Sequence, residues 1–186
     1  YKTLDCIFDD HKTKIEACNN TRMPYDWDIL VLVSDDMIPQ LLGYDDIIRE
    51  SMAYSYPNTD GVLCFNDGYR ERRINTLSIM GRQFYESFGY VYHPDYKNIC
   101  CDREFQYVAD LLGKQTYFPE VIIKHEHPAN DKSIQWDSTY EKNVSKDKDD
   151  YLMLEMRRGK GYDLERNRIT AGMATFKQRY LEQKAA

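Results

Sequence analysis

The feature that most constrains this chain is a short apolar run, Trp27-Asp28-Ile29-Leu30-Val31-Leu32-Val33, which ends abruptly in Ser34-Asp35-Asp36. A β-branched and aliphatic run with little polar alternation suits a strand covered on both faces, so it predicts a buried strand of a parallel or mixed sheet. The flanks agree. Residues 11–20 have helix-compatible spacing with Ile15 and Cys18 apolar, and Pro39 and Gly43 punctuate the entry to a helix over about residues 45–54. The order helix, strand, polar tip, helix sets Asp35 and Asp36 at the carboxyl edge of an α/β sheet, where such folds bind ligands.

The pattern continues downstream. Val62-Leu63-Cys64-Phe65 reads as a second strand that meets another polar tip, Asn66-Asp67-Gly68. A third strand is expected over residues 74–80 and a short helix over 81–88. Asp102-Arg103-Glu104-Phe105 opens a helix running to about Leu112, with carboxylates in the first turn where the helix dipole favours them. Residues 115–124 supply one or two strands ending at His125-Glu126-His127-Pro128. From about residue 130 the character changes. Residues 142–150 are a mixed-charge run that reads as a solvated linker, and residues 151–158 and about 164–183 read as helices. The chain thus divides into a catalytic-type domain, 1–130, and a charged linker with a helical tail, 131–186. The tail is expected to pack on the domain or to support a homo-oligomer.

Composition narrows the class. The 186 residues suit one domain with a single sizeable core, and no apolar run approaches the roughly 20 residues that span a bilayer. A formal charge of -6 argues against broad electrostatic binding of nucleic acid. The five cysteines are odd in number and contain no C-x-x-C pair, so a reducing, cytoplasmic setting is the simpler reading. The chain opens on Tyr1 without the pattern of a signal peptide and is expected to begin inside a longer gene product. Sixteen tyrosines supply aromatic faces, either for a sugar-binding cleft or for a half-wet core edge.

Three groups of residues carry candidate chemistry. Adjacent carboxylates at a strand tip suit a hard divalent cation, Mg²⁺ or Mn²⁺, that completes its shell with diphosphate oxygens; the same Ser-Asp-Asp also makes an ordinary turn. If the strand runs through residue 127, period-2 alternation puts His125 and His127 on one face, where both imidazoles can approach a metal. Asp102 or Glu104, at the mouth of a helix, suits a general base; a capped helix start with Arg103 in a surface pair is the structural alternative.

Taken together and in this order, residues 7–130 resemble the C-terminal two-thirds of a family-2-type glycosyltransferase with the GT-A fold. Lys12-Thr13-Lys14-Ile15-Glu16-Ala17-Cys18-Asn19 is similar to the basic, Ala- and Asn-containing segment preceding the metal strand of that family. The run ending in Ser34-Asp35-Asp36 is similar to its D-x-D-type motif, and Cys101-Asp102-Arg103-Glu104-Phe105 to its acidic acceptor-side motif. The resemblance implies an α/β fold with a mixed, mostly parallel, Rossmann-like sheet flanked by helices and a helical C-terminal tail. It implies a metal-dependent, inverting transfer of a sugar from a nucleotide-diphosphate donor, a UDP-sugar first among them, to a hydroxyl of an acceptor glycan or other acceptor. Asp36 would ligate Mn²⁺ or Mg²⁺, with His125 or His127 completing the metal shell. Asp35 and Lys14 would face the nucleotide, Asn66 and Asp67 would contact the transferred sugar or acceptor, and Asp102 would be the base. The family's first strands, which read the nucleotide base, are not found before this segment. Two other functions fit parts of the pattern: a nucleotidyltransferase, for which a Gly-rich basic phosphate loop is not visible, and a non-catalytic glycan-binding or scaffold module.

Overall fold

A computed structural model of the chain describes residues 9–20, 26–131, 133 and 147–164. Four strands form the main sheet: β1 (Ile29–Val31), β3 (Val62–Phe65), β4 (Ile79–Gly81) and β5 (Gln115–Phe118), in the order β1-β4-β3-β5. Both β1 and β3 pair antiparallel with β4, and β3 pairs parallel with β5, so β1, β3 and β5 point one way and β4 the other. The sheet is therefore mixed, as expected, but not mostly parallel. Placing β4 between β1 and β3 makes two of its three interfaces antiparallel. A second, two-stranded antiparallel sheet joins β2 (Met37–Pro39) to β6 (Ile123–His125).

Period-2 side-chain alternation divides the core across the main sheet. On one face Leu30, Val62 and Met80 pack with Ile15 of α1 (Lys14–Asn19), Phe84 of α3 (Arg82–Phe88) and Phe105 and Val108 of α4 (Cys101–Leu111). On the other, Leu63, Phe65 and Ile79 pack with Ile48 and Met52 of α2 (Tyr44–Ser55) and with Ile122 and Ile123 at the start of β6. Helices thus cover both faces. This explains why all four β3 residues are buried and why the strand reads as an unbroken apolar run. Each fully buried aliphatic or aromatic side chain contributes about 1.5–3 kcal/mol. Gly81 is needed where β4 turns into α3, because a Cβ there would lie 2.2 Å from the Thr59 carbonyl oxygen.

Several expectations change. The first strand occupies the sheet edge with only Leu30 buried, and Val33 is exposed. The third strand shrinks from residues 74–80 to Ile79–Gly81; Asn75, fully buried, gives its backbone N–H to Gln106 Oε1 and its side-chain amide to the Leu63 carbonyl. Beyond residue 130 the described part of the tail packs on the domain, one of the two arrangements expected for it. The charged residues 147–150, expected as linker, open helix α5 (Asp147–Gly159), and Leu154, Tyr162 and Leu164 join the first core cluster. Asp150, 1% exposed, accepts the backbone N–H groups of Lys97, Asn98 and Ile99 and pins the helix to the loop before α4. The helix expected over residues 164–183, and with it the proposed oligomer contact, lies outside the described residues apart from Leu164. No helix among the described residues is long and apolar enough to cross a membrane. The four described cysteines, Cys18, Cys64, Cys100 and Cys101, are free thiols.

Candidate active site at the carboxyl edge of the sheet

Because β1, β3 and β5 run the same way, their following loops emerge at one edge. Beyond β1, Leu32 N–H still reaches the Ser78 carbonyl (3.0 Å), and the chain then turns through Ser34 to Met37. Pairing of β2 with β6 sets Met37 opposite His125, and Glu126 N–H donates to the Asp36 carbonyl (2.8 Å). This second sheet delivers the Asp36 carboxylate to the His125 ring, with Oδ2 and Nε2 3.2 Å apart and side-chain exposures of 14% and 17%. The Ser34 hydroxyl donates to the other carboxylate oxygen. Asp35 is exposed one residue earlier.

Two further elements reach the same rim. Thr13 caps α1 by accepting Glu16 N–H (3.1 Å), and Asn19 fastens the helix by accepting Val91 and Tyr92 N–H and donating to the Tyr92 carbonyl (2.7 Å). Asp102, partly buried, stands in the first turn of α4. Burial pushes its carboxyl up, while the Lys14 ammonium pulls it down. Lys14 also acts on His127, whose basicity is lowered chiefly by burial and then by its neighbour His125, with Asp36 opposing. The charge of Lys14 is thus felt both at Asp102 and at His127, next to the Asp36–His125 pair.

The two histidines are not equivalent. Strand β6 ends at His125, and His127 follows in a tight turn with its N–H on the His125 carbonyl (2.9 Å); the ring centroids are 5.6 Å apart at 75°. Ala129 N–H donates to His127 Nδ1 (3.0 Å), so the neutral ring carries its hydrogen on Nε2. A ring in that state donates hydrogen bonds and does not ligate a cation through Nε2. His125 Nδ1 is buried without a hydrogen-bond partner among the described residues. Among the described residues no group of three His, Cys, Asp or Glu side chains is placed to hold a metal ion. The expected set Asp36, His125 and His127 therefore reduces to Asp36 and His125. Their 3.2 Å separation fits neighbouring ligands of one cation, which at about 2.1 Å from an octahedral ion lie about 3 Å apart. A shell with two protein ligands leaves positions for phosphate oxygens and water.

Three expected site residues have structural employment. The Glu104 carboxylate, expected at the helix mouth beside Asp102, points into the core: Arg157 Nη2 lies 2.7 Å from Oε1, and the Tyr96 hydroxyl donates to Oε2 (2.7 Å). Burial and this carboxylate hold the Tyr96 phenol protonated. Asp67, 2% exposed, accepts Tyr69 N–H (2.9 Å), Arg70 N–H (2.6 Å) and the Thr76 hydroxyl (2.9 Å). Asn66 accepts Gly68 N–H and donates to the Pro119 carbonyl, which shapes the same turn. The sequence reading missed Arg70, whose charge also lowers His127 and whose Nε donates to Asn130 Oδ1 (2.8 Å). The signal was a basic residue shortly after a strand tip, but Arg72 and Arg73 beside it look the same in sequence. The chain matches no protein-family profile, no curated protein and no solved structure.

Proposed function

We propose that this chain carries the catalytic site of a metal-dependent glycosyltransferase that moves a sugar from a nucleotide-diphosphate donor to an acceptor hydroxyl. The observation that supports this best is the Asp36–His125 pair at the carboxyl edge of an α/β sheet, with Lys14 close enough for its charge to act on both Asp102 and His127. Asp36 and His125 would hold the divalent cation, which would supply Lewis-acid neutralisation of the charge developing on the departing diphosphate. Asp102 takes the proton of the acceptor hydroxyl as its oxygen bonds to the anomeric carbon. The bond from that carbon to the diphosphate oxygen breaks with its electron pair leaving on the nucleotide, and the anomeric centre inverts. Desolvation suits Asp102 to this role by raising its proton affinity, and the Lys14 charge opposes that shift. The Lys14 ammonium would steer an anionic donor toward the carboxylates of this edge.

Calorimetric titration of nucleotide-sugars with and without Mn²⁺ tests the reading. Binding that requires the cation, and is lost in Asp36→Ala, is the expected result. Failure of every nucleotide-sugar to bind sinks it.

A further inference from the structure

We infer that Arg70 is the second cationic contact for the donor's diphosphate, held for that task by the buried Asp67 and by Asn130; this rests on the glycosyltransferase reading above. The arginine is partly buried, and among the described residues no carboxylate lies within ion-pair distance of its guanidinium. A partly exposed guanidinium without a carboxylate partner keeps its charge and donors available to an anion. Arg72 and Arg73, its neighbours, are both exposed. Arg73 is spent on the backbone, its Nη2 donating to the Tyr69 carbonyl (3.0 Å) and its Nε to the Arg70 carbonyl (3.2 Å).

The loop is built to hold Arg70 in place. Asp67 fixes the Arg70 backbone from below, and Gln106 of α4 donates to the Arg72 carbonyl (3.0 Å) from the core side. Glu71, a non-glycine residue, is held at φ 52°, a conformation that persists only where the surroundings impose it. At the guanidinium itself, Nε is engaged by Asn130, whose own N–H bonds the His127 carbonyl (2.8 Å). Asn130 therefore ties Arg70 to the turn that carries His125 and His127. With Nε occupied, Nη1 and Nη2 remain to present paired donors, the geometry that suits phosphate oxygens. Lys14 enters the rim from α1 and Arg70 from the loop after β3, so a diphosphate bound at Asp36 would meet cations from two segments.

Inorganic pyrophosphate with Mn²⁺ tests the contact independently of the nucleotide base and the sugar. Arg70→Ala should raise its Kd about tenfold or more without lowering the melting temperature, and Arg70→Lys should fall between, keeping the charge but not the fork. Arg72→Ala should change Kd by less than about threefold, since exposed charge at that distance is screened. Unchanged affinity in Arg70→Ala overturns the inference, as does an equal loss in Arg72→Ala, which would mean a diffuse field. If Arg70→Ala lowers the melting temperature, its Kd is measured below the transition, where unchanged affinity again overturns the assignment. If the unaltered protein binds neither Mn²⁺-pyrophosphate nor any nucleotide-sugar, the glycosyltransferase reading itself fails.

Discussion

Two acid–base pairs show how differently this fold treats its charges. Arg157 and Glu104 are 4% and 5% exposed, and the carboxylate has both oxygens satisfied by the guanidinium Nε and the Tyr96 hydroxyl. Asp163 adds a contact to Arg157 Nη1 at 3.2 Å. The Asp36–His125 pair at the rim is more exposed, joins through one atom of each partner, and leaves His125 Nδ1 without a partner among the described residues. A closed network of the first kind fixes one arrangement of helices; a pair of the second kind stays within reach of solvent. The first turn of α4 divides in the same way: Glu104 is consumed by the inner network, whereas Asp102 is partly exposed.

Breaking the inner pair should have the largest effect on stability. Glu104→Ala leaves Arg157 buried and uncompensated, and a loss of about 3–5 kcal/mol is expected from chemical or thermal unfolding. Replacing both partners by apolar residues of similar volume should recover much of that loss, and if it does not, the pair contributes more than mutual neutralisation.

At the rim the effects should move to function. Asp102→Asn is expected to lower turnover about 10²–10⁴-fold while donor affinity stays within about twofold, as read from steady-state rates beside calorimetry. Its effect on stability has a definite sign. A carboxyl raised by burial contributes stability while protonated and loses that contribution as pH rises through its folded-state value, so at pH 7 the neutral amide should raise the melting temperature. A lower melting temperature at pH 7 would show that the ionised form is welcome there.

Asp36→Ala should weaken metal-dependent donor binding by more than about 100-fold, since loss of even an outer-sphere partner costs 10–100-fold, with little change in unfolding free energy. Should Asp36→Ala destabilise the fold as much as Glu104→Ala, the distinction between the two pairs collapses. The smallest effect belongs to His127. Its depressed basicity means that the folded state resists protonation, so stability should decline as pH falls below the ordinary imidazole value of about 6.5. His127→Gln should flatten that part of a melting-temperature profile.

Much of the local structure was legible in the residues. The Val62–Phe65 run, the short helix after Gly81 and the acidic opening of α4 all lie close to their expected places, because each rests on periodicity and on helix-end chemistry carried by neighbouring residues. The polar assignments were less legible. Asp67 and Asp36 follow strand tips in similar fashion, yet one is consumed by its own loop and the other meets a histidine 89 positions later in sequence. Residues 147–150 looked like linker because their charges were taken as solvated, whereas Asp150 is buried against three backbone donors.

By itself the sequence determined the alternation of helices and strands, a carboxylate pair at a strand tip, and an acid at a helix mouth, since these follow from the order and spacing of adjacent residues. Tertiary structure alone decided which carboxylates face the rim and which are spent inside. It inserted β4 between β1 and β3, paired β2 with β6, and set Arg157 against Glu104. The physical reason is that a buried charge must find its partner wherever the fold supplies one, and both ion pairs join residues far apart in the chain.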